Sequence, residues 1–267
     1  MKRYLTVILI LTVVLTLVSG CKKKNNLPPK NAEEVTDYYL VPLPNLSTIL
    51  SGLDYLKNTD YDKAVDKNLF AADKEVYKTS FALGVLTADG VLAVKAKNKT
   101  KLMAISTAMI DDSKFIGIDE NILKLADELQ GYVKAEDWKN LELALDKYKI
   151  DVESSLFESK RYDLFTLMQL GGWTEGLNRI TNLINTNYKA DNSTLVDQKG
   201  ILNELIDNMN KIDNENITKA DYFFVAKSNF AKIKQIIYAP INGTYTKDQL
   251  TELNKLTQEI KDSFKAK

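Results

Sequence analysis

The stretch FALGVLTADGVLAV, residues 81–94, decides how this chain of 267 residues folds. Of its fourteen residues only Thr87 and Asp89 are polar. Wound as a helix, it is apolar on every side, the pattern of a helix buried all round. It is too short to span a bilayer, which takes about 20 apolar residues. Gly84 and Gly90 each cost roughly 1 kcal/mol of helix propensity, a loss that close packing against a neighbour has to offset. Asp89 has Val85, Leu86, Leu92 and Ala93 one turn away on either side. A carboxylate in such surroundings needs a partner or a proton.

A second segment shares this character. Leu164, Phe165, Leu167, Met168 and Leu170 leave no polar face, and Gly171-Gly172-Trp173, Gly176, Leu177, Ile180, Leu183 and Ile184 follow. Two buried helices are thus expected, over about 73–97 and 160–188. Gly172 and Gly176 form a small-xxx-small pair, which in a helix carrying Glu175 and Arg179 marks a tight crossing inside the body. Elsewhere apolar residues recur at spacings of three and four, giving amphipathic helices. One such stripe is Leu46, Ile49, Leu50 and Leu53. Another is Leu102, Ile105, Ser106 and Met109, expected to end at Asp111-Asp112-Ser113. Asp119 is a candidate N-cap for Ile122 to Val133. A short turn at 134–137 leads to Trp138, Leu141, Leu145, Tyr148 and Val152, an antiparallel hairpin. Ile201 to Ile212 forms another stripe. Thr218 is read as the cap of a helix carrying Phe223 to Ile237, and Thr246 with Gln249 as a capping box before Leu250 to Phe264. Residues 57–70 give no clear periodicity. The expectation is an all-α body of about nine helices, a multi-helix bundle or array of antiparallel hairpins around the two buried helices, forming a single domain over 45–267.

The segments Leu83-Gly84-Val85-Leu86-Thr87-Ala88-Asp89-Gly90 and Leu170-Gly171-Gly172-Trp173-Thr174-Glu175-Gly176 match if one residue is gapped, which points to two related halves. The Glu136-Asp137-Trp138 turn is similar to those in tetratricopeptide hairpins, but no 34-residue period persists.

Composition narrows the chemistry. Charged residues make up 27% and apolar residues 45%, ordinary globular usage, and there is no histidine. Without imidazole, Ser-His-Asp and Cys-His catalysis and zinc–histidine sites are excluded. No P-loop, dinucleotide fingerprint or nucleophile elbow is present.

Residues 1–20 read as a signal peptide, with Lys2 and Arg3 before an apolar run from Leu5 to Val18. Val18-Ser19-Gly20-Cys21 resembles the lipobox of bacterial lipoproteins. In that family a diacylglyceryl group joins the cysteine thiol, the chain is cut before the cysteine, and its amine is acylated, often with palmitate. The resemblance implies that Cys21, the only cysteine in the chain, is the lipid attachment site and that the bilayer is a partner. Loss of Lys2 and Arg3 with the leader leaves 34 of the 36 basic residues against 36 acids, net −2, and no footprint for nucleic acid. Residues 21–44, with Lys22-Lys23-Lys24 and Pro28-Pro29, read as a polar tether. Lysine rather than aspartate after Cys21 implies, by resemblance to Gram-negative sorting, an outer membrane facing the periplasm. FALGVLTADGVLAV and LGGWTEGL in two long helices are together similar to a group of uncharacterised helical envelope lipoproteins, which implies a fold and a location but no activity.

Asp89, Glu175 and Arg179 are the candidate polar cluster. Arg179 is one of two arginines after the leader, and in a lysine-dominated chain an arginine implies a bidentate or buried role. It is expected to bridge Asp89 and Glu175 across the two long helices. Trp173, among glycines, is a candidate pocket aromatic. Asp111-Asp112 with Asp119-Glu120 do not match a calcium loop and are read as helix-end acids. No catalytic residue, metal or cofactor is assigned. Two functions stay open: an anchored, non-catalytic envelope lipoprotein whose body scaffolds or binds an unknown protein or small molecule, and a lipid-anchored hydrolase using a carboxylate pair.

Overall fold

The computed structural model describes residues 51–266 apart from 57, 58, 66 and 67. The leader, Cys21, the tether and the start of the 46–53 stripe lie outside the described residues. Among the described residues are ten α-helices: α1 (Tyr61–Ala64), α2 (Val76–Lys95), α3 (Lys99–Phe115), α4 (Glu120–Ala135), α5 (Trp138–Glu158), α6 (Tyr162–Thr186), α7 (Lys199–Lys211), α8 (Glu215–Thr218), α9 (Asp221–Tyr238) and α10 (Lys247–Phe264). A 3₁₀ turn spans Asp191–Val196. The extended structure is a single bridge between Ala72 and Lys265. The fold is therefore all-α, with eight long helices and two single-turn ones.

Local chemistry sets the helix ends. Glu75 accepts hydrogen bonds from the amides of Tyr77 and Lys78 and opens α2. Asp119 caps α4, and Asp137 caps α5. Between them Glu136 takes the left-handed conformation at φ 56° and reverses the chain. Thr246 and Gln249 exchange both bonds of a capping box before α10.

Two expectations need correction. α3 does not stop at Asp111-Asp112-Ser113 but runs on to Phe115. Ser113 is fully buried with its hydroxyl against that of Tyr148, and Ile116 packs into the core, so the helix must continue. The two aspartates stay on its outer side, where Asp112 pairs with Lys74 at 3.3 Å. Thr218 caps nothing: it ends α8, which Asn214 caps, and α9 starts at Asp221 with Ala220 before it and no side-chain cap. The irregular 57–70 region includes the single turn α1.

The eight long helices form two rings of four. α2 packs on α3, α3 on α4, α4 on α5, and α5 closes back on α2; likewise α6 packs on α7, α7 on α9, α9 on α10, and α10 on α6. The rings meet where α2 crosses α6, the most extensive helix contact. These two helices run in the same direction. Ser80 donates to the Leu164 carbonyl at one end, and Asp89 meets Arg179 at the other.

Glycine makes the crossing possible. A Cβ on Gly84 would lie 1.9 Å from the Met168 carbonyl oxygen, and one on Gly171 would lie 2.1 Å from that of Phe81. The contact is reciprocal: each glycine sits three residues after the carbonyl that faces the other glycine. The two matched segments of sequence thus sit against each other. Gly176 is not part of this crossing, contrary to the small-xxx-small reading. Its Cβ direction meets nothing within 4 Å. The pair that closes the helices is Gly84 with Gly171.

Candidate functional site

Charged and neutral groups line opposite sides of this crossing. On the side facing α10, Asp89, Glu175 and Arg179 come together, as their sequence positions imply. The Arg179 guanidinium reaches Asp89 through Nε at 3.2 Å and Nη2 at 3.1 Å, and Glu175 through Nε at 2.6 Å. A fourth member completes the cluster: the ammonium of Lys261 on α10 forms an ion pair with the second oxygen of Glu175. Asp89 and Glu175 are 2% and 0% exposed, so no solvent reaches either acid. Two cations face two carboxyls, so each enclosed acid has a cation beside it.

The acids also interact with each other. Burial first, then the neighbouring Glu175 carboxylate, pushes Asp89 up to about 8, against the pull of Arg179 and Lys261. Proximity of the two carboxyls thus favours the protonated form of Asp89. Beside the cluster α6 and α10 are clasped by amides. Asn178 donates to the Asn254 carbonyl and to Thr257, and Asn254 donates back to the Asn178 carbonyl at 2.8 Å.

The side facing α5 is open. From Phe81 to Val94 only Ala88 is not buried, and from Leu164 to Thr181 only Gly172, Gly176 and Ile180 are not. All four line one pocket of about 100 Å³. This is a volume near that of cavities that take a single small ring. Gly84, Gly172 and Gly176 floor it, and Val91, Met168, Trp173 and Leu177 wall it. Trp173, the candidate pocket aromatic, lines this pocket. Its indole N–H donates to Gln198 at 2.9 Å, and its ring lies 5.5 Å from that of Phe230. Polar groups stand at the margin. Lys149 and Glu153, one turn apart on α5, pair at 3.2 Å. Burial raises Glu153 above the usual carboxylate range, while Lys149 and a hydrogen bond from Gln169 lower it. The lining carries one cation and one anion and is neutral as a whole.

Sequence reasoning missed Lys261, Lys149, Glu153 and Gln198. Lys261 was detectable. In a helical projection it falls just beyond Leu250, at the margin of the stripe of Leu250, Leu253, Ile260 and Phe264, where a lysine calls for a partner. Lys149 and Glu153 read as an ordinary i,i+4 surface pair. Nothing local shows that α6 shelters them. Asp111, Asp112, Asp119 and Glu120 do not converge: Asp112 pairs with Lys74 and Asp119 caps α4. Among the described residues no group of three or more acids or cysteines has metal-binding geometry, and no helix is long and apolar enough to cross a membrane.

The chain matches no protein-family model, no curated protein and no solved structure.

Proposed function

We propose that this chain is a membrane-anchored lipoprotein of a bacterial envelope, held by acylated Cys21, whose helical body binds a small, uncharged, mostly apolar ligand between α2 and α6. One observation carries the binding assignment. The residues of 81–94 and 164–181 that are not buried all converge on one mostly apolar pocket, and three of the four are glycine or alanine. Glycine there costs roughly 1 kcal/mol per position relative to alanine, and at Gly176 no neighbour requires it. Space, not packing, is what that glycine supplies. The neutral lining favours an uncharged ligand, with Gln198 and the Lys149–Glu153 pair available for one polar group. Pockets of this kind are mostly apolar with a few placed polar groups.

The hydrolase alternative has its two acids in Asp89 and Glu175. Both are enclosed and bound to cations, and neither lines the pocket. A glycosidase pair must flank its substrate, so the enclosed cluster supports the binding reading.

The test is binding of a panel of uncharged single-ring compounds, read by the fluorescence of Trp173 in a Trp138→Phe background. At least one compound should shift the emission, and Gly176→Leu should abolish the shift while circular dichroism stays unchanged. Failure of every compound, or equal binding by Gly176→Leu, would refute the pocket assignment. Anchoring is tested separately: Cys21→Ser should lose incorporation of labelled fatty acid and leave the precursor uncut.

A further inference from the structure

We infer that the outer face of α9 rests on an anionic phospholipid surface, so that the body lies against the membrane with this face down. The inference rests on the lipid-anchor reading of Cys21, which puts a bilayer within reach of the body. From Tyr222 to Lys247 the chain carries four lysines and no acid, in a protein whose charges balance overall at 36 against 36.

On α9 this charge is arranged for a surface. Phe224, Lys227, Ala231, Gln235 and Tyr238 follow at spacings of three and four, and each is exposed. They form one stripe about 21 Å long at 1.5 Å per residue. Phe224 is 74% exposed at its start, and Ile241, just beyond its end, is fully exposed. Large apolar side chains at both ends with lysines between them are what the headgroup boundary accepts: rings and aliphatic chains dip in while ammonium groups meet phosphate. Among the described residues no carboxylate pairs with Lys227, Lys232 or Lys234. Lys227 lies over the ring of Phe223 at 5.9 Å, and Lys234 over that of Tyr238 at 5.8 Å. A groove of about 500 Å³ runs beside the stripe, with Ile206, Met209 and Asn210 of α7 adding apolar and uncharged walls opposite Lys227 and Lys234. Lysines held on aromatic rings beside an apolar groove suit a phosphate-bearing amphiphile better than an acidic protein face, which would offer nothing for Phe224 and Ile241 to enter.

The experiment uses the lipidated chain carrying Ile241→Cys, labelled with an environment-sensitive fluorophore and reconstituted into vesicles. One set is phosphatidylcholine with one part in three phosphatidylglycerol, the other phosphatidylcholine alone. One label per chain shows that lipid blocks Cys21. Two labels would mean that the anchor reading has failed, and the face is then read by itself in Cys21→Ser. The expected result is a blue-shifted emission, quenched by brominated lipid, on the anionic vesicles only and reversed by 0.5 M salt. Each lysine near such a surface is worth about fivefold. Replacing Lys227, Lys232 and Lys234 by glutamine should therefore lower the docked-to-undocked ratio about a hundredfold. A label at Leu143→Cys, exposed on α5, should stay in water throughout. The inference is overturned if the label at 241 stays in water on anionic vesicles, responds equally to neutral ones, ignores the lysine changes, or moves together with the label at 143.

Discussion

On the α10 side of the α2–α6 crossing, four charged groups are buried together. On the α5 side, the same two helices present glycine and alanine to a pocket. Both sides use helices of similar length, and both place a lysine and a glutamate between helices. Lys261 forms an ion pair with an acid on another helix, Glu175 of α6. Lys149 bonds Glu153 one turn along its own helix. A charge pair that reaches across helices ties them shut, whereas a pair within one helix leaves the neighbouring helix uncovered. The difference separates a structural cluster from a candidate site, although the cluster has the more unusual residues.

The largest expected effect comes from breaking the closed side. Arg179→Ala leaves two enclosed carboxyls with Lys261 alone. Removing one partner of a buried ionic group costs roughly 3–5 kcal/mol, which lowers the melting temperature by about 10 °C in a domain of this size. Above pH 8, where Asp89 is ionised, adding Asp89→Asn should recover part of that loss, since no bare carboxylate is left at that position. Thermal unfolding of the single and double variants checks both statements.

Next is the crossing itself. Gly171→Ala puts a methyl group 2.1 Å from the Phe81 carbonyl, and neither helix backbone can yield without opening both rings. The expected cost is about 3 kcal/mol, the upper range for overpacking, measured by urea denaturation.

A smaller effect depends on pH. Folded Asp89 holds its proton up to about pH 8, against an ordinary value of 3.8 in the unfolded chain. Between these values the folded state binds more protons, so stability falls as pH rises from 4 to 8. Glu153, raised by burial, adds in the same direction. Melting temperatures across this range should decline, and Asp89→Asn should flatten the decline without abolishing it.

The smallest effect has the opposite sign. Gly176→Ala, five residues beyond Gly171 on the same helix, adds a methyl group where nothing lies within 4 Å. Helix propensity alone predicts a gain of up to about 1 kcal/mol. A loss comparable to that of Gly171→Ala would mean that the two sides of the crossing are packed alike.

The fold was largely legible because two segments, 81–94 and 164–184, are apolar on all sides and can only be central. The charge cluster was legible for the same reason: Asp89 and Arg179 interrupt stretches that do not tolerate an unpaired charge. Helix ends were less so. The acids at 111–112 resemble a stop signal, and only the burial of Ser113 against Tyr148, 35 residues away, carries α3 past them. The pocket was legible only in Trp173. Lys149, Glu153 and Gln198 come from other parts of the chain, and a void leaves no pattern in a sequence. Gly172 and Gly176 were visible, but spacing alone cannot distinguish a glycine that admits a helix from one that leaves room for a ligand.

The central claim is that the open side binds and the closed side holds. The direct measurement is the rise in melting temperature caused by one saturating single-ring ligand in the parent, Asp89→Asn and Gly176→Leu proteins. The account predicts equal rises for the parent and Asp89→Asn and none for Gly176→Leu. A rise that persists in Gly176→Leu and vanishes in Asp89→Asn would place the site at the charge cluster and contradict it.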